Sequence, residues 1–214
     1  MQNNENDEVN AGLQVNPWAT VWLHPRNTVQ YVMEYKTSSF VLFIAAITGI
    51  IDTLDQAMGS NLGDSWNMAA ILLVSLLAGP IIGVIGLYIA SGIYHVLSMM
   101  LGGLGTFEES RKAFTVSSII IIIGGVIWIP DLLILGQGNF TSDYDFSFGQ
   151  FGWSIISLIV NFVIGIWSLV VLIAAIAEVH RFSAWKAALV VFLPIIILVV
   201  LVIVIVALTT PALF

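Results

Sequence analysis

Hydrophobic positions in this chain are not interleaved with polar ones; they run together in long blocks separated by short polar breaks. Five blocks stand out, at about Ser38–Met58, Met68–Leu101, Ala113–Leu135, Gly152–Ala177 and Ala187–Leu208. Each passes the roughly 18 residues that mark a membrane-spanning helix. The pattern therefore predicts an all-α polytopic membrane protein, a bundle of five transmembrane helices. The second block is too long for a simple span: about 34 residues at 1.5 Å each reach about 51 Å, against a hydrocarbon core of about 30 Å. It must kink at Gly79-Pro80, tilt, or run past the bilayer.

Ahead of the first block the pattern changes character. Residues 1–12 are acidic and polar, as in a disordered tail, and lack the basic and apolar regions of a cleaved signal. Residues 13–37 carry two amphipathic pieces separated by Pro25, with Trp18 and Trp22 one turn apart and Val29, Val32 and Met33 at helical spacing. Tryptophans, Tyr31, Tyr35, Arg26 and Lys36 suit a segment lying in the headgroup layer, and also one packed beneath the bundle. Residues 38–210 form the membrane domain.

Composition agrees: 59% of the 214 residues are hydrophobic and only 9% charged, far from the quarter typical of soluble domains. No soluble core of this length hides so much apolar surface. The six basic residues decide orientation. Arg26 and Lys36 precede the first block, Arg111 and Lys112 lie between the second and third, and Arg181 and Lys186 between the fourth and fifth. With five spans all fall on one side, so the positive-inside rule places the N-terminus in the cytoplasm and the C-terminus outside. Asp52, Asp55, Asp64, Asp131, Asp143 and Asp145 then lie toward the outer side with no basic partner. Acidic residues are tolerated there, and a cation-attracting vestibule is the alternative reading.

An ionisable group inside a span is a functional candidate by default, since burying its charge in hydrocarbon is costly. Asp52 and Asp55 are three apart on the first span and share a face; Asp131, after Pro130, reaches a similar depth from the opposite direction. Together they outline a proton or cation site, or else span ends in water with Asp52 bonded across the bundle. Asn161, mid-way along the fourth span, is expected to bond another helix. Ser75, Gly79 and Gly83 recur every fourth position on the second span, a small-residue face for close packing that makes this span the expected centre of the bundle. There are no cysteines, and His24, His95 and His180 map to the basic side, away from the aspartates; no metal site is expected.

"LGGLGTFEESRKAF" interrupts the hydrocarbon between the second and third spans. It lacks the third glycine and preceding strand of a dinucleotide loop and the Gly-Lys-Ser/Thr of a phosphate loop. Its glycines suit a left-handed helix cap, and Thr106 with Glu109 a capping box for a helix running through Arg111 and Lys112 into the third span. No cofactor and no nucleic acid is expected, and no nucleophile, base and orienting acid fall together.

Three pieces in register, "NPWATVWLHPRNTVQYV", "LGGLGTFEESRKAF" and "AEVHRFSAWKA", resemble the Yip1 family, specifically its short prokaryotic branch. The resemblance covers residues 13–210 and implies an N-in, five-span bundle in a plasma membrane. Eukaryotic members look like membrane-trafficking factors that associate with prenylated Rab-type GTPases and with one another. This chain has a short tail in place of their long cytoplasmic domain, so GTPase binding is not carried over. The expected partners are membrane lipid and a membrane protein or second copy. The candidate surface comprises Trp18, Trp22 and Arg26 before the first span, Gly102, Gly103, Gly105, Phe107, Arg111 and Lys112 in the middle turn, and Glu178, Phe182 and Trp185 in the last. A small carrier or channel using Asp52, Asp55 and Asp131, and a lipid-binding or lipid-moving protein, are the competing classes.

Overall fold

The computed structural model describes residues 16–209. The acidic tail expected over residues 1–12, the start of the amphipathic segment and the C-terminal "TPALF" lie outside the described residues. Two short helices, α1 (Pro17–Thr20) and α2 (Pro25–Tyr35), lead into α3 (Ser38–Gly59) and α4 (Met68–Met100). Then come α5 (Phe107–Gly124), α6 (Trp128–Ile134), α7 (Phe148–His180) and α8 (Ala184–Thr209), and no strand forms among the described residues. Helices α5 and α6 are joined by a 3-10 turn, Gly125–Ile127, and act as one span, so five helical units are long and apolar enough to cross a membrane.

Local chemistry explains the ends of these elements. Asn16 caps α1 by accepting from the Trp18 N–H at 3.0 Å, and prolines occupy the first turns of both α1 and α2. Helix α4 is unbroken despite Pro80, so its 33 residues extend about 50 Å, beyond any untilted hydrocarbon core. The third span starts at Phe107, six residues before the apolar block, because its capping box nucleates the helix in the polar turn.

The third span, not the second, is the centre. Val116, Ile119 and Ile120 of α5 are fully buried, whereas most of α4 and α8 is exposed or half-buried, and α5 packs on α2, α3, α4 and α7. Two glycines allow this. A Cβ on Gly124 would strike the Ile164 side chain of α7, and one on Gly125 the Ile51 side chain of α3. The small residues of α4 serve a narrower purpose. Gly79 and Gly83 lie directly against Gly49 and Ala45 of α3, backbone on backbone, with Ser75 buried one turn away. They join α4 to one neighbour only.

The main core lies toward the end that carries all six basic residues, where Val116, Ile119 and Ile120 of α5 meet Val171, Ala175 and Ile176 of α7. A smaller cluster at the opposite, acidic end joins Leu54, Ala57, Ile71, Trp128 and Phe140. Phe140 comes from the loop after α6, where a 3-10 turn (Gly136–Phe140) tucks it under the bundle, fully buried and stacked on Trp128 at 5.7 Å. Phe140 of this loop is thus part of the core.

Candidate functional site

At the basic end α4 stops in the cap its glycines suggest. Gly102 adopts φ +80°, its N–H donates to the Met99 carbonyl at 3.0 Å, and the Gly103 N–H donates to the Ser98 carbonyl at 2.8 Å. The capping box follows. The Thr106 N–H donates to Glu109 Oε2 at 2.7 Å, and the Glu109 N–H donates to Thr106 Oγ1 at 3.2 Å.

The turn closes around a histidine from the far end of the chain. His180 is 1% exposed, and a Cβ on Gly103 would sit 2.6 Å from its Nδ1, so only glycine lets the backbone pass. The Gly105 N–H donates to Nδ1 at 3.2 Å, which makes that nitrogen the acceptor of a neutral imidazole. Nε2 then carries the proton and donates to Ser110 Oγ at 3.1 Å, while the Ser110 hydroxyl donates to the Thr106 carbonyl at 2.9 Å. His95 Nδ1 meets the same oxygen at 3.2 Å. The sequence separation of 70 residues conceals this Ser-His pair, but its polarity is wrong for nucleophilic catalysis: the imidazole N–H donates a hydrogen bond to the serine oxygen instead of accepting one from its hydroxyl. It is a lock between α5 and α7.

The remaining residues of this end are tied together as well. Val21, Val29 and Val32 are fully buried, with Trp18 and Trp22 packed beside them and Arg26 exposed, so the amphipathic segment docks beneath α5 and α7. Gln30 Nε2 donates to Glu178 Oε1 at 2.7 Å, and Lys112 Nζ donates to the Met33 carbonyl at 3.0 Å while pairing with Glu108 at 3.4 Å. Lys186 stands 4.7 Å over the Phe182 ring, and Arg111 lies against Tyr88 and Phe107. Around this rigid base Leu23 is 80% exposed, Leu104 69% and Trp185 87%.

At the acidic end the three aspartates have unlike surroundings. Asp131 is 3% exposed, not a span end in water, and both its oxygens are taken: Trp153 Nε1 donates to Oδ1 and Ser157 Oγ to Oδ2, each at 2.7 Å. Asp55 Oδ1 accepts from Trp128 Nε1 at 3.0 Å. The two carboxylates fasten α3 to α6 and α6 to α7. Asp52, a turn further in, has no hydrogen-bond or ion-pair partner among the described residues and does not bond across the bundle. It borders a cleft of about 250 Å³ with Thr48 and Ser118, and one of about 270 Å³ with Asp55, Asn161 and Ser168. Asn161 bonds within its own helix, to Ser157 Oγ at 3.3 Å, because Ser157 is already held by Asp131.

Sequence reasoning does not find Trp128, Trp153 and Ser157 as partners of the aspartates. A signal exists for two of them, since Trp153 and Ser157 stand four apart and share one face of α7. Nothing in the sequence pairs Ser110 with His180.

A five-helix all-α bundle with charges segregated to its ends and locks at both defines a polytopic membrane protein. The Yip1 domain model matches residues 19–206, and the chain belongs to the Yip1 family. No curated protein and no solved structure matches it.

Proposed function

We propose that this Yip1 protein is a non-catalytic, membrane-organising component whose basic end, cytoplasmic by the positive-inside rule, binds a membrane-protein partner or a second copy. The reading puts the protein in the plasma membrane, with support from its resemblance to the prokaryotic branch. One observation carries the reading: Leu23, Leu104 and Trp185 project from three separate elements at one end, each anchored on a buried base. Exposed apolar side chains next to polar and charged turns are the composition of a docking surface, an apolar centre within a polar rim. Photo-crosslinking residues placed at 23, 104 and 185 in native membranes are expected to capture a protein neighbour, while one at Phe148, 95% exposed at the other end, captures lipid. Lipid adducts alone from all four positions would remove the reading.

A second reading rests on Asp52. An unpartnered carboxylate bordering two clefts inside a span is the kind of group that binds a proton or a cation in a carrier.

A further inference from the structure

Arg111 is held in the seam between α4 and α5 with no acidic partner among the described residues. Its Nη1 donates to the Tyr88 hydroxyl at 2.8 Å, and its guanidinium carbon lies 4.9 Å from the Tyr88 ring centre and 5.3 Å from that of Phe107. A guanidinium has five N–H donors, and among the described residues only this one is engaged. Nε is buried with no hydrogen-bond partner. Neither nearby carboxylate serves it, because Glu108 pairs with Lys112 and Glu109 closes the capping box.

The position faces outward. Tyr88 is 41% exposed and Phe107 36%, so the two rings line the outside of the seam between α4 and α5. Tyr88 stands twelve residues, about 18 Å, before the end of α4. Glu108, Glu109 and Lys112 share the first turns of α5 with Arg111 and mark that level as the headgroup layer, since charges are costly in hydrocarbon. A cation on a long stem ordinarily snorkels toward water. Here the tyrosine hydroxyl holds it against the α4–α5 seam, at the level of the lipid phosphates.

We propose that Arg111, held between Tyr88 and Phe107, binds the phosphate of one anionic phospholipid in the leaflet at the basic end. The guanidinium fork matches two phosphate oxygens, and both rings leave room for the adjoining acyl chain along the helix seam. The site does not depend on what the exposed crown of Leu23, Leu104 and Trp185 binds.

The test is native mass spectrometry of the full chain titrated with phosphatidylglycerol or phosphatidylcholine, with circular dichroism as the control for folding. The wild type retains one phosphatidylglycerol in preference to phosphatidylcholine, and Arg111→Gln weakens that binding at least about tenfold, the loss of a charge-assisted contact. Arg181→Asn, which removes an exposed charge at the same end and suits the left-handed backbone there, leaves it unchanged. Tyr88→Phe keeps the ring and removes the hydroxyl that aims the guanidinium, so it weakens binding severalfold and decides the matter if Arg111→Gln fails to fold. Undiminished binding by the Arg111 and Tyr88 variants, or no preference for the anionic lipid, overturns the proposal. Displacement of the lipid by millimolar inorganic phosphate would make this a free-phosphate site, and a crosslinker at position 107 that captured an acidic protein segment instead of lipid would make it a protein contact; either result overturns it.

Discussion

Gly83→Ala and Gly86→Ala differ by a single methyl group at positions three apart on the same small-residue helix, yet the structure expects opposite outcomes. At Gly83 the new Cβ would fall far inside 3.0 Å of the Ala45 carbonyl and of Gly49. Both obstacles are backbone, so α3 and α4 must move apart along their whole seam. Overpacking of this kind costs about 1–3 kcal/mol. At Gly86 nothing lies within 4 Å, and replacing a helical glycine by alanine contributes up to about 1 kcal/mol of stability. The two variants should therefore differ by about 1–4 kcal/mol in reversible unfolding titrated with dodecyl sulfate in mixed micelles. Gly49→Ala meets Gly79 and Gly83 from the other side, so combined with Gly83→Ala it should cost less than the sum, the first substitution having already opened the seam. Equal stabilities for Gly83→Ala and Gly86→Ala would refute the close approach of α3 and α4.

Asp131→Ala leaves the Trp153 and Ser157 donors without an acceptor and is expected to cost about 2–5 kcal/mol, whereas Asp131→Asn, which keeps one acceptor and offers Ser157 a donor, should cost under about 1.5 kcal/mol; the same unfolding titration checks both. Trp128→Phe retains the stacking on Phe140 but removes the N–H to Asp55, with an expected loss of about 1–3 kcal/mol. His180→Ala strips the Gly105 N–H of its acceptor and empties the space behind the glycine turn. Hydrogen exchange at residues 102–106 should accelerate markedly, while the acidic end stays protected.

What was legible in the sequence was local. The five spans follow from runs of apolar residues, and the cap at Gly102 and the capping box at Thr106 and Glu109 from residues a few positions apart. Helix partnership was not legible. The stripe through Gly79 and Gly83 marks a surface that another backbone approaches, but says nothing about how many helices do so. The centre fell instead to the third span, whose adjacent Gly124 and Gly125 show no periodic stripe. The aspartates illustrate the same limit. Their depth could be counted along each helix, but the tryptophan and serine donors that distinguish Asp131 from Asp52 come from other elements. Asn161 looked outward from its helix until Ser157, four residues earlier, was seen to be fixed by Asp131. His180 and Ser110 are joined only because α7 returns to the turn that starts α5.

The central claim, that this membrane protein binds partners and does not move ions, is tested most directly by proton and cation flux in sealed proteoliposomes. Wild type and Asp52→Asn would be compared at matched orientation and incorporation. The account predicts no flux above that of empty liposomes for either protein. Flux through the wild type that Asp52→Asn abolishes would contradict it, and would make the unpartnered carboxylate and its two clefts the functional site.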